Sequence, residues 1–270
     1  MNMNVFFGWV VPYIIFAIFL RGIVKRMLVW SHVPVPFKLT VFFGPQTMRG
    51  AYADLAKETI GFRSLWRGKK GLWFISWLFH ISLASILIGH IVGIAFLGQQ
   101  FTIFGVSAEQ SERLSVMLGT YAGVAFLIGV MPLFIRRLVS KKMRFISNFG
   151  DYLVLILLLG IAGSGMYMRW FDNVTYLEVA IYLKGLISLH PVPPPSSVAF
   201  LLHFTLVQLL LLYFPSSKLM HSCGIFFTRW LITRPYERQV IINERTSSDS
   251  FRGKRHKAPE PISNSDREAS

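Results

Sequence analysis

The sequence predicts an all-α integral membrane protein, a bundle of five transmembrane helices with the N-terminus outside and the C-terminus in the cytoplasm. Three observations carry this. The 270 residues are 53% hydrophobic and only 15% charged, with a mean hydropathy of +0.49, whereas a soluble domain is about a quarter charged. Five apolar runs approach or exceed the roughly 20 residues needed to cross about 30 Å of hydrocarbon. Of the 28 Lys+Arg, 25 fall in alternate connections and three in the others, an asymmetry that places the richer connections in the cytoplasm. The net charge of +15 therefore reads as membrane topology and carries no implication of nucleic-acid binding.

The first span runs from about Val5 to Val24. It has no basic residue before its apolar run, so it reads as a retained helix rather than a cleaved leader. The second runs from about Gly71 to Leu97 and the third from about Leu114 to Ile135. The fourth covers about Phe149 to Met168, and Asp151 at its start is suited to cap that helix or meet its positive dipole end. The fifth covers Val198 to Phe214, where Pro215 interrupts it. Residues 1–243 form one membrane domain, with a cytoplasmic connection over about 25–70. Residues 244–270, rich in Ser, Lys, Arg, Asp and Pro, are expected to be disordered unless a partner orders them.

The only cysteine, Cys223, excludes an intramolecular disulfide, a cysteine-ligated iron–sulfur cluster within this chain and a thioether-linked haem. No nucleophile–base arrangement demands hydrolytic chemistry. The conspicuous residues are histidines. WLFHISLASILIGH puts His80 and His90 in the second span; LLHFTLVQLLLLYFPSSKLMH puts His203 in the fifth and His221 just past Pro215. A lone intramembrane histidine is as often structural as functional. Four in two pairs, on two of five helices, point instead to axial ligation of haem iron. Ser82, Ala84, Ser85, Gly89 and Gly93 keep bulk low around the first pair. The second and fifth spans run in opposite directions. His80 and His221 therefore share the cytoplasmic side, His90 and His203 the outer side, and two b-type haems would stack across the membrane. Along straight helices the two separations would be about 15 Å and about 27 Å, so tilt and the break at Pro215 must reconcile them. A haem-free anchor or transporter with structural or proton-carrying histidines is the alternative from another class.

HISLASILIGH, VMLGTYAG and FPSSKLMHSCGIFF together resemble the gamma-subunit cytochrome b of respiratory nitrate reductase, over most of Gly71 to Phe227. The resemblance implies two haems b held by the four histidines that match its motif, His80 with His221 and His90 with His203. The longer connection between the first two spans, with HVPVPFKLTVFFGPQ and FRSLWRGKK, is similar to the membrane cytochrome b of the sulfite-reduction-associated (Dsr) quinone-interacting complex. That branch implies a role in sulfur metabolism: electrons pass between a quinone or quinol and a cytoplasmic iron–sulfur subunit resembling heterodisulfide reductase. It also implies further membrane and periplasmic subunits, and a place in a bacterial or archaeal cytoplasmic membrane. A nitrate reductase or another quinol-linked oxidoreductase is the alternative partner. The nitrate reductase subunit has a lysine near its outer quinol site, whereas the stretch here is EQSERL. Arg113 is the candidate replacement at the quinone site, through charge-assisted hydrogen bonding. The 25–70 connection, with Trp30, Phe37, Phe42, Phe43 and Trp66 among basic residues, and the segment after the last span, with Trp230 and Tyr236, are expected to dock the cytoplasmic partner. For Trp30 and Trp66 themselves a belt at the lipid headgroups is the favoured reading.

Overall fold

A computed structural model of the chain describes residues 6–32, 47–172 and 174–225. All regular elements among them are helical. A π-helical turn over Phe6–Val10 leads into α1 (Val11–His32). Two short helices follow, α2 (Met48–Thr59) and α3 (Arg63–Gly68), and then α4 (Lys70–Phe96). After a 3-10 turn come α5 (Ala108–Val139), the single turn α6 (Lys141–Phe145), α7 (Phe149–Phe171), α8 (Tyr176–Ile187) and α9 (Val198–Tyr213). Five of these, α1, α4, α5, α7 and α9, are long and apolar enough to cross a membrane, at the five places the sequence marks. In hydrocarbon every backbone amide must bond within its own segment, which leaves the helix as the only open-chain solution.

The helix ends have local causes. Ser107 and Gln110 form a reciprocal capping box at the start of α5, and Asn148 and Asp151 do the same for α7. Ser197 caps α9 and also donates to Asp172, tying the start of α9 to the end of α7. Leu97, at φ 50, closes α4 in the left-handed region. α1 continues two turns past the expected Val24, because Lys25 and Arg26 suit a helix interior and His32 lies in its last turn, at the negative end of its dipole.

Packing runs α4 on α5, α5 on α7, α7 on α9 and α9 on α1. α4 and α9, the two histidine-bearing helices, share no extended interface among the described residues. Phe79, Phe126, Val130 and Leu158 form the core between α4, α5 and α7. A second cluster centres on Tyr182, Leu186 and Phe200. It joins α8, a helix of 12 residues too short to span, to the start of α9. Its hydrogen bonds fasten the first span: the Tyr182 hydroxyl donates to Gly8 O at 2.6 Å, the Tyr13 hydroxyl to Leu186 O at 2.9 Å and the Trp9 indole to Val192 O at 3.0 Å. Burial and the nearby Tyr13 push the Tyr182 phenol up to about 12.

At the opposite face the carboxylate of Asp151, with 6% of its side chain exposed, accepts from Arg137 at 2.9 Å and from Lys218 at 2.7 Å. The end of α5, the start of α7 and the segment after α9 therefore meet at one point. The expected cap is present, and the ion pairs add to it. Within the 25–70 connection, α2 and α3 show that the chain is structured around residues 48–68. Trp66 stacks edge-on against Trp73 and lies under the Lys70 ammonium. Phe37, Phe42, Phe43, Trp230, Tyr236 and the 244–270 tail lie outside the described residues.

Candidate functional site

The structure sets His80 opposite His221 and His90 near His203. His80, nearly three turns into α4, faces His221 across the space between α4 and the chain beyond α9, with ring centroids 6.1 Å apart and planes at 82°. Two metal–imidazole bonds of about 2 Å, with about 1 Å more from each ligating nitrogen to its ring centre, require centroids about 6 Å apart. The pair thus fits an axial set on one metal. Phe62 and Phe79 stack edge-on against His80, at 5.0 Å and 4.8 Å, and supply apolar wall. His90 and His203 lie further along the bundle, close enough to interact electrostatically. Leu87, Ile88 and Ile91 beside His90 leave apolar surface exposed.

The distance between His203 and His221 is settled by the turn after α9. Pro215 lacks the amide that would continue the helix. The chain passes instead through two 3-10 turns, Phe214–Ser216 and Lys218–Met220, before His221. The chain beyond these turns is no continuation of α9, and it sets the His221 ring 6.1 Å from that of His80.

All four rings are held alike. Nδ1 lies 2.7 Å from Ser76 O in His80, 2.7 Å from Ile86 O in His90, 3.0 Å from Ile161 O in His203 and 2.7 Å from Lys218 O in His221. A carbonyl only accepts, so each Nδ1 carries the proton and donates it. With Nδ1 so engaged, Nε2 is the nitrogen of each ring left to meet a metal; His32 and His190 bond a carbonyl through Nδ1 in the same way. A backbone carbonyl behind the ligand also fixes ring orientation and raises ligand basicity. For His203 the support comes from another helix: Ile161 and Ser164 of α7 hold it, with Ser164 Oγ 3.1 Å from Nδ1. Gly165 makes room, since a Cβ there would sit 3.2 Å from His203 Cε1.

Sequence reasoning missed Ser164 and Gly165. The run GIAGSG in an apolar span was the available signal, because small residues mark close approach within membranes. It also missed Lys218, whose carbonyl orients His221 while its ammonium holds Asp151. Arg113 lies at the far end of the bundle from this ion-pair cluster. It is exposed and paired with Glu109 at 2.6 Å, in an open recess with Glu112, Val116 and Met117. Cys223 is half-buried and free, with Ser222 Oγ 3.9 Å from its sulfur.

Five helices long and apolar enough to cross a membrane, with histidines on two of them, define the class of multi-pass helical membrane proteins. More particularly, the family model for the nitrate reductase gamma subunit matches residues 27–242, and the chain belongs to that family. Among its relatives is the cytochrome b-like subunit of an Hdr-like menaquinol oxidoreductase from Archaeoglobus fulgidus, 30% identical over 83% of this chain and 78% of the relative. The corresponding subunit from Archaeoglobus profundus is 28% identical over 84% and 79%. The gamma chain of respiratory nitrate reductase 1 from Escherichia coli is 27% identical over 83% and 92%.

Proposed function

We propose that this chain is the dihaem cytochrome b subunit of a quinol-linked oxidoreductase, carrying electrons across a bacterial or archaeal cytoplasmic membrane. The observation that carries the reading is the facing of His80 and His221 from two different elements, with ring centroids 6.1 Å apart. His80 and His221 would hold the cytoplasmic-side haem, His90 and His203 the outer one. When bound, the two haems supply reversible one-electron chemistry. The chain's own part is to orient the imidazoles, to wall the irons with apolar side chains and to set their depths.

The quinone site belongs on the outer side, where protons exchange directly with water, and Arg113 is the candidate to orient the quinone headgroup. The cytoplasmic partner would be an iron–sulfur subunit similar to heterodisulfide reductase, in a complex of sulfur metabolism with further membrane and periplasmic subunits. The Archaeoglobus relatives, whose names carry Hdr-like menaquinol oxidoreductase, support this partner class. A nitrate reductase partner is the second reading, favoured by the match to 92% of the Escherichia coli gamma chain.

Dithionite-reduced minus oxidised spectra of the purified chain, with pigment extraction, test the core of the proposal. Two haems b per chain are expected. Folded protein without a b-type signal would replace it with a haem-free anchor or transporter. Co-purification of native partners separates the two partner readings.

A further inference from the structure

Among the described residues the Arg169 guanidinium has no acidic partner. It lies near the outer end of α7, and among the described residues no carboxylate comes within ion-pair distance of it. Nη1 donates to Val116 O at 2.5 Å and lies 3.5 Å from Thr120 Oγ1, both across on α5. Among the described residues no acceptor reaches Nε or Nη2. An ordinary interfacial arginine extends toward headgroups and water. This one turns across to the neighbouring helix and lies over Gly119, where a Cβ would come within 2.7 Å of Nη2.

Two further contacts relate Arg169 to the outer histidine pair. Gly165, four residues earlier and so on the same face of α7, is the residue against which His203 packs. Tyr176, at the start of α8, is near enough to Arg169 to interact electrostatically. The Tyr176 ring lies against Gly93, where any Cβ would overlap its hydroxyl; Gly93 is three residues from His90 and on the same face of α4. Arg169 and Tyr176 therefore stand about one turn outward of both outer histidines. Burial raises the Tyr176 phenol above its ordinary value against the opposing pull of Arg169, so the hydroxyl stays a donor at neutral pH.

We propose that Arg169, with the Tyr176 hydroxyl, forms a carboxylate-binding subsite that takes a propionate of the haem held by His90 and His203. The assignment rests on the dihaem reading above. A haem propionate is the anion that this arrangement fits: a fixed carboxylate at the rim of a flat macrocycle, meeting a planar donor fork with an edge to spare. The cation also makes the reduced iron easier to form, since its field opposes the added electron's charge. Arg113, already paired with Glu109, is left to the quinone headgroup.

The test is a redox titration of purified wild-type, Arg169→Gln, Arg169→Lys and Tyr176→Phe protein, following each haem separately by its spectrum. Arg169→Gln should shift the outer haem at least tenfold toward the oxidised form, about 59 mV to lower potential for one electron, and leave the other haem in place. Arg169→Lys should recover most of the shift, and Tyr176→Phe should give a smaller one of the same sign. Selective loss of the outer haem in Arg169→Gln, with retention in Arg169→Lys, would support the same assignment. An unmoved outer haem in all three variants overturns it. So does a wild-type potential that follows added anionic lipid, which would make a headgroup phosphate the true partner. Wild-type protein lacking two b-type signals would remove the dihaem reading itself, a result distinct from either.

Discussion

Replacing Asp151 should destabilise the bundle and loosen one haem in preference to the other. The carboxylate is 6% exposed and meets Arg137, whose side chain is 22% exposed, and Lys218, 67% exposed. It also accepts the Asn148 amide as half of a capping box, at 3.1 Å. Removing one partner of a buried ion pair costs about 3–5 kcal/mol, because the other charge is left stranded. Arg137 retains some access to solvent, so its share falls below that range, to about 2 kcal/mol. The exposed Lys218 pair adds at most about 1 kcal/mol, and loss of the cap about 1 kcal/mol more. Asp151→Ala should thus cost about 3–4 kcal/mol. Asp151→Asn, which keeps the acceptor for Asn148, should cost about 2–3 kcal/mol by the same accounting. Lys218 also offers the carbonyl that orients His221, so both variants should release the haem of His80 and His221 first. The assay is equilibrium denaturation in detergent followed by far-ultraviolet circular dichroism, with pigment analysis alongside. An Asp151→Ala protein within about 0.5 kcal/mol of wild type, or one that loses only the outer haem, would refute the reasoning.

If His80 and His221 hold one haem as proposed, substituting either by Ala should leave about half the wild-type haem, with the other pair untouched; full retention in both would show they are not ligands. A quinol analogue should perturb the spectrum or potential of the outer haem, and Arg113→Ala should weaken that response. Perturbation of only the haem of His80 and His221 would move the quinone site to the cytoplasmic side. Tyr182 predicts a pH effect. Its phenol is held at about 12 in the folded chain, against an ordinary value of about 10 unfolded. The folded state therefore keeps a proton that the unfolded state loses. The stabilisation is complete below pH about 10 and is lost as pH rises toward 12. Wild type should lose more stability than Tyr182→Phe between pH 9 and pH 11 in parallel denaturation curves, and equal losses would show that the phenol titrates normally.

The five candidate spans were legible in the sequence. Length, apolar content and the side on which basic residues collect are local properties, and the membrane converts them almost directly into topology. A capping carboxylate at Asp151 was legible for the same reason, since a cap is decided within one turn. The sequence did not reveal what acts on the histidines from other elements. The Ile161 carbonyl and Ser164 hydroxyl behind His203 are about forty residues away, and the Asp151–Lys218 bond joins residues 67 apart. The docking of α8 against the first span spans 174 positions between Tyr182 and Gly8. Such contacts leave no period in the chain, because they depend on which helix faces packing brings together. Hydropathy alone cannot rank those faces, since in lipid an apolar helix face is equally at home against a neighbour or against acyl chains. Close approach at small residues and the satisfaction of buried polar groups decide between them, and both exist only once the bundle is assembled.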